Sequence, residues 1–130
     1  MELSVPTRSR NEFVDITARV QEAAAQEGVS SGLCIVYVPH TTAGVTINES
    51  ADPSVQRDIL VTLDRMVPQQ GDYRHLEGNS PAHVKASLMG SSAQVAVTEG
   101  RLVLGTWQGI FFCEFDGPRT RKVHLRFIRG

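Results

Sequence analysis

The chain has 130 residues, a length that fits a single domain, residues 1–130. Apolar residues make up 41% and charged residues 21%, which excludes an intrinsically disordered chain. Thirteen basic residues face 14 acidic ones for a formal net charge of -1, so charge offers no case for a nucleic-acid partner.

Leu3 and Val5 alternate with polar neighbours, and Phe13, Val14 and Ile16 follow a polar gap, the pattern of two short opening strands. Residues 15–28 place Ile16, Val20, Ala23 and Ala24 at helical spacing and stop at Gly28. GLCIVYVPH, from Gly32 to His40, is a β-rich run expected as a strand buried on both faces. AGVTINES follows as a second strand. Asp52-Pro53 opens a helix with an N-cap and a proline at the first position. Val55, Ile59, Leu63 and Met66 then form one apolar stripe that Pro68 ends.

PQQGDYRHLEGN reads as a polar loop of the length commonly given to function. Ser80-Pro81 repeats the cap-then-proline opening for a short helix through Leu88. The last third predicts a strand around Val95 and Val97, a turn at Glu99-Gly100, a long run from Arg101 to Phe115, a turn at 116–118 and a closing strand over 120–129. This order does not alternate strand with helix, so the expected fold is α+β, mostly antiparallel, with two to three helices.

MELSVPTRSR lacks the apolar core of a signal peptide. No stretch approaches the roughly 20 apolar residues that cross a bilayer, so a cytoplasmic location without a membrane partner is expected. Cys34 and Cys113 each lie in an apolar run and read as buried free thiols.

Two of the four histidines, His75 and His83, fall within nine positions. His83 lies in the first turn of a helix, where the positive end of the dipole favours neutral imidazole, the form that binds metal. His75 can fold back over that helix end, and His40 closes a strand. Three imidazoles so placed can make an open zinc site, although H-E-x-x-H and paired C-x-x-C motifs are absent. The plainer reading is polar loop histidines. His124 alternates with Lys122 and Arg126 and reads as a solvated surface residue.

Further polar residues surround the presumed site. Glu49, after Asn48, suits a general base or a partner that orients a histidine. Asn79 and Ser80, with Glu77 and Gly78, suit either an anion cradle at a helix start or a simple turn and cap. Thr41 and Thr42 serve either phosphate hydrogen bonding or strand propensity. Arg119 and Arg121 suit bidentate phosphate binding, or merely an exposed basic hairpin end. Trp107 is expected to pack in a core or subunit interface, with Gln108 beside it as a polar contact. Walker A, G-x-G-x-x-G and G-x-S-x-G motifs are absent.

HTTAGVTINE, ADPSVQRD, HLEGNSPAHVKASLMGSS and LGTWQGIFFCEFDGPRTRKV resemble, in order and spacing, the YjbQ family, also called secondary thiamine-phosphate synthases. The resemblance covers nearly the whole chain. It implies a β-sandwich that trimerises through its sheets, and a cleft in which His40, His75 and His83 cluster.

The function it implies is a metal-dependent, thiamine-phosphate-synthase-like enzyme acting on a phosphorylated small molecule. The three histidines would hold the ion, Arg119 and Arg121 would clamp phosphate, and Glu49 would move a proton. Thr41, Thr42, Asn48, Asn79, Ser80 and Gln108 would contact substrate. Three imidazoles favour zinc, with magnesium able to join during turnover. The alternatives are a metal-dependent hydrolase or lyase and a non-catalytic trimer that binds a metal or small ligand.

Overall fold

The computed structural model describes residues 1–130. Eight strands and three helices follow in the order β1 (Glu2–Pro6), β2 (Glu12–Asp15), α1 (Thr17–Glu27), β3 (Gly32–Tyr37), β4 (Ala43–Glu49), α2 (Pro53–Met66), α3 (Ser80–Met89), β5 (Ser92–Thr98), β6 (Arg101–Leu102), β7 (Gln108–Glu114) and β8 (Thr120–Arg129). The fold is α+β. A five-stranded sheet, β1-β8-β3-β5-β6, faces a three-stranded sheet, β2-β7-β4, and every pairing is antiparallel.

The principal core fills the space between the sheets. Cys34 and Val36 of β3, Val95 and Val97 of β5, and Val123 and Leu125 of β8 meet Val45, Ile110 and Phe112 of the smaller sheet, with Val20 and Ala23 of α1 joining them. Period-two alternation sends the intervening residues of β7 the other way. Phe111 and Cys113 pack there with Phe115 against Leu63 of α2 and Ala82 and Ala86 of α3. β7 is therefore buried on both faces, while the outer face of the five-stranded sheet carries no helix residue of either core cluster. Both cysteines are buried free thiols, as expected.

Several boundaries differ from expectation. α1 starts at Thr17 because Asp15 belongs to β2, opposite Phe111, and its carboxylate accepts from the Thr17 amide and hydroxyl. β3 stops at Tyr37, shortly before Pro39, which has no amide to continue a ladder. His40 thus hangs in the connection to β4 instead of closing the strand.

The run expected from 101 to 115 is broken. Gly105–Gln108 forms a turn in which the Gln108 amide donates to the Gly105 carbonyl at 3.0 Å and the Gln108 Oε1 accepts from the Gly105 amide at 2.8 Å. There the chain leaves the larger sheet for the smaller one. Trp107 rides on this turn and is 63% exposed, so it lies outside the core.

α2 begins as expected, with the Asp52 Oδ1 accepting from the Ser54 amide at 2.9 Å. α3 lies close on β4. A Cβ at Gly44 would come within 2.6 Å of the Gly90 carbonyl oxygen, so only glycine permits this approach. The contact fixes the helix that carries His83.

Candidate functional site

At one end of the sandwich, inward-facing Arg121 of β8 meets inward-facing Glu114 of β7. Arg121 is 2% exposed and Glu114 fully buried. The Arg121 Nε donates to both Glu114 oxygens, at 2.9 and 3.1 Å, and Nη2 donates to Glu114, to the Thr42 hydroxyl at 2.9 Å and to the Thr42 carbonyl. Thr7 donates its hydroxyl to Glu114 at 2.8 Å. Burial alone would raise the Glu114 pKa, but the bonds from Arg121, the Asp116 amide and Thr7 outweigh it and hold the carboxyl below its ordinary 4.5. Nε and Nη2 make the guanidinium's hydrogen bonds, which leaves the N–H groups of Nη1 as its spare donors.

Above this pair lies a cleft of about 410 Å³ that Arg121 helps to line. His40, Thr41, Thr42, His75, His83 and Arg119 line it with Arg121. Pro39, Glu77, Asn79 and Asp116 complete its wall. The turn bearing Asp116 and Arg119 is held tightly, since a Cβ at Gly117 would come within 2.3 Å of the Ser9 carbonyl oxygen and 2.9 Å of Glu114 Cγ. Arg119 is clamped by Asp116, donating from Nε to its carbonyl at 2.9 Å and from Nη2 to Oδ2 at 3.2 Å.

The three histidines share this cleft, but their environments do not form a metal centre. No group of three His, Cys, Asp or Glu side chains is arranged to hold an ion. The Nε2 of His40 accepts the Lys122 backbone amide at 3.0 Å. A neutral imidazole has one lone-pair nitrogen, so this bond uses it and leaves Nδ1 as an N–H donor. Burial, then the positive charge of Arg121, keeps His40 below its ordinary 6.5 and so neutral. His75 and His83 pack ring edge to ring face, with centroids 5.2 Å apart and an interplanar angle of 85°.

Not every expected site residue is here. Asn48, Glu49 and Gln108 lie at the far end of β4 and β7, where Glu49 pairs with Gln108 and Asn48 with Gly109. Glu49 lies seven positions after Thr42, about 23 Å of extended chain. Within one chain, a carboxylate there is too far from the cleft to exchange a proton with a ligand bound in it. Ser80 lies within α3 and does not line the cleft; Asn79 is the N-cap residue, and its side chain donates to Asp116 at 2.9 Å instead of capping. His124 is on the outer face, half exposed and stacked on Tyr37.

The sequence reading missed Glu114 and Asp116. The signal for Glu114 was available: an acidic residue two positions after Phe112 on the inward face of an apolar strand needs an inward cation. Arg121, two positions before Val123, supplies it.

The chain matches the model of the UPF0047 protein YjbQ-like family over residues 1–130. It is 50% identical over 127 residues to the UPF0047 protein YugU of Bacillus subtilis, covering 97% of this chain and 96% of the relative. It is also 50% identical over 124 residues to the UPF0047 protein MJ1081 of Methanocaldococcus jannaschii, covering 95% and 90%. A crystal structure from Clostridium acetobutylicum, of an uncharacterized conserved protein of the YjbQ/UPF0047 family, superposes with a TM-score of 0.97 at 58% identity, covering 98% of this chain and 99% of that one. A hypothetical protein of Aeropyrum pernix superposes with a TM-score of 0.95 at 39% identity, covering 100% and 98%.

These descriptions carry no synthase activity, and the side chains form no metal-binding group. The expected metal-dependent, thiamine-phosphate-synthase-like enzyme with a three-histidine centre is therefore overturned, together with its metal-dependent alternatives. What stands is lineage and fold: with its whole length matched, the chain belongs to the YjbQ-like UPF0047 family.

Proposed function

We propose that the protein binds a small phosphorylated molecule, with the phosphate seated against Arg121 and Arg119 in the cleft. The supporting observation is the buried guanidinium of Arg121, held rigid by Glu114 and Thr42 with only Nη1 to spare. A preorganised donor pair of this kind suits a tetrahedral oxyanion, because little side-chain freedom is lost on binding. The Nδ1–H of His40, the Thr41 hydroxyl and the free edge of Arg119 supply further donors around the same space.

Glu114 and Asp116 balance the two arginines, so recognition rests on directed hydrogen bonds more than on net positive charge. Calorimetric titration with inorganic phosphate tests the reading. Arg119→Gln weakens binding about tenfold, the loss of one charge-assisted contact. Equal affinity in both proteins would contradict it.

The protein is further proposed to act as a homotrimer that associates through the open face of the five-stranded sheet. Leu33, Ile35, Tyr37 and Ile128 favour this, since the first three form an apolar band along β3 on that face, with Ile128 of β8 opposite Leu33.

A further inference from the structure

We propose that a second, smaller cavity beside the cleft receives the hydroxylated tail of the same ligand, which makes the ligand class a phosphorylated polyol. This rests on the cleft being the phosphate site. The cavity measures about 120 Å³ and shares Glu77, Asn79 and Asp116 with the cleft, so one molecule can reach both. Arg10, Asn11, Gln69 and Lys85 line its remainder with few apolar neighbours.

Two buried groups there have unmet hydrogen-bonding capacity of opposite kinds. The Oδ1 of Asn79 is buried and has no partner. Its amide cannot simply be turned over, because Nδ2 donates to the Asp116 carboxylate at 2.9 Å. Oδ1 therefore calls for a donor. The Lys85 side chain is only 5% exposed. Its ammonium donates to Asp64 Oδ1 and, at 3.4 Å, to Asn11 Oδ1, which leaves one of three N–H groups for an acceptor.

Hydroxyl groups answer both needs, since each can donate, as Asn79 requires, or accept, as Lys85 requires. A phosphate would face the lone pairs of Asn79 Oδ1. A ligand ammonium would face Lys85 and Arg10. The fixed charges are largely matched already, Lys85 with Asp64 and Asp116 with Arg119, so a neutral polar group fits best. At about 30 Å³ for a water-sized group, the volume admits about four such groups, the size of a short polyol.

Calorimetry with three probes tests this: inorganic phosphate, glycerol 3-phosphate and propyl phosphate, which lacks the hydroxyls. The native protein binds glycerol 3-phosphate about tenfold more tightly than propyl phosphate, because a site built for hydroxyls leaves its polar groups unpaired around the deoxy compound. Lys85→Met abolishes that preference and leaves inorganic phosphate affinity unchanged, since Lys85 lies outside the cleft. Gln69→Ala, at an exposed position, reduces the preference without touching the core. Inorganic phosphate binding with equal affinity for the two esters would overturn the polyol inference alone. Failure of all three probes would overturn it together with the phosphate reading. A preference that survives both substitutions would place the hydroxyls elsewhere and overturn it as well.

Discussion

Arg121 and Glu114, seven residues apart in sequence and on different strands, form a fully buried ion pair that closes one end of the sandwich and forms the floor of the cleft. Breaking one partner leaves the other charge stranded in the interior. Arg121→Met is therefore expected to lower unfolding stability by about 3–5 kcal/mol in urea titrations. Adding Glu114→Leu to that variant removes the stranded charge and recovers most of the loss. A cost below about 1 kcal/mol for the single change would show that the pair is not holding the fold.

His40 gives the stability a pH dependence of known sign. Burial, followed by the charge of Arg121, depresses its folded-state pKa below the ordinary 6.5. The unfolded chain thus takes up a proton at this position more readily than the folded one. The contribution is fully present above pH 6.5 and is lost as pH falls from there toward the lowered folded value. Glu114 acts in a separate window, below its ordinary 4.5. Urea titrations between pH 7 and pH 5 are expected to show falling stability, with a shallower slope in His40→Gln. Identical slopes would remove His40 as the cause.

Glu49 lies at the opposite end of β4 from the cleft, paired with Gln108. Glu49→Gln is accordingly expected to leave phosphate affinity unchanged by calorimetry. A loss of tenfold or more, about 1.4 kcal/mol, would mean that this end of the strand reaches an anion site, as it would if a neighbouring copy completed the cleft.

The open sheet face leads to a prediction about assembly. Ile35 faces outward, between Arg126 on β8 and Gln94 on β5, within the band formed with Leu33, Tyr37 and Ile128. Ile35→Asp puts a carboxylate in that band and is expected to shift sedimentation from trimer to monomer while leaving the circular dichroism of the sandwich intact. A native protein that sediments as a monomer at micromolar concentration would contradict the trimeric assembly.

Much of the fold was legible because its signals are local. Asp52-Pro53 dictated the start of α2, and the alternation of Val123 and Leu125 dictated which face of β8 is buried. The break at Gly105 was hidden because apolar residues flank it on both sides. It depends on Gln108 folding back onto the Gly105 amide, a contact that hydrophobic periodicity does not encode. For the cleft, sequence reasoning placed the three histidines and two arginines but assigned the histidines to metal. That assignment failed because the lone pair of His40 is committed to an amide 82 residues away, that of Lys122. Glu49 lies apart from the cleft of its own chain for a related reason. Nearness to His40 in sequence becomes a long separation once the chain between them is extended in a strand.

The most direct test of phosphate recognition is an NMR titration of nitrogen-15-labelled protein with inorganic phosphate, followed at the arginine guanidinium and histidine ring resonances. Saturable shifts at Arg121, Arg119 and His40, with little change at Arg57 on the exposed face of α2, are the predicted result. Shifts absent from Arg121 and Arg119 at millimolar phosphate, or spread evenly over all arginines, would contradict the account.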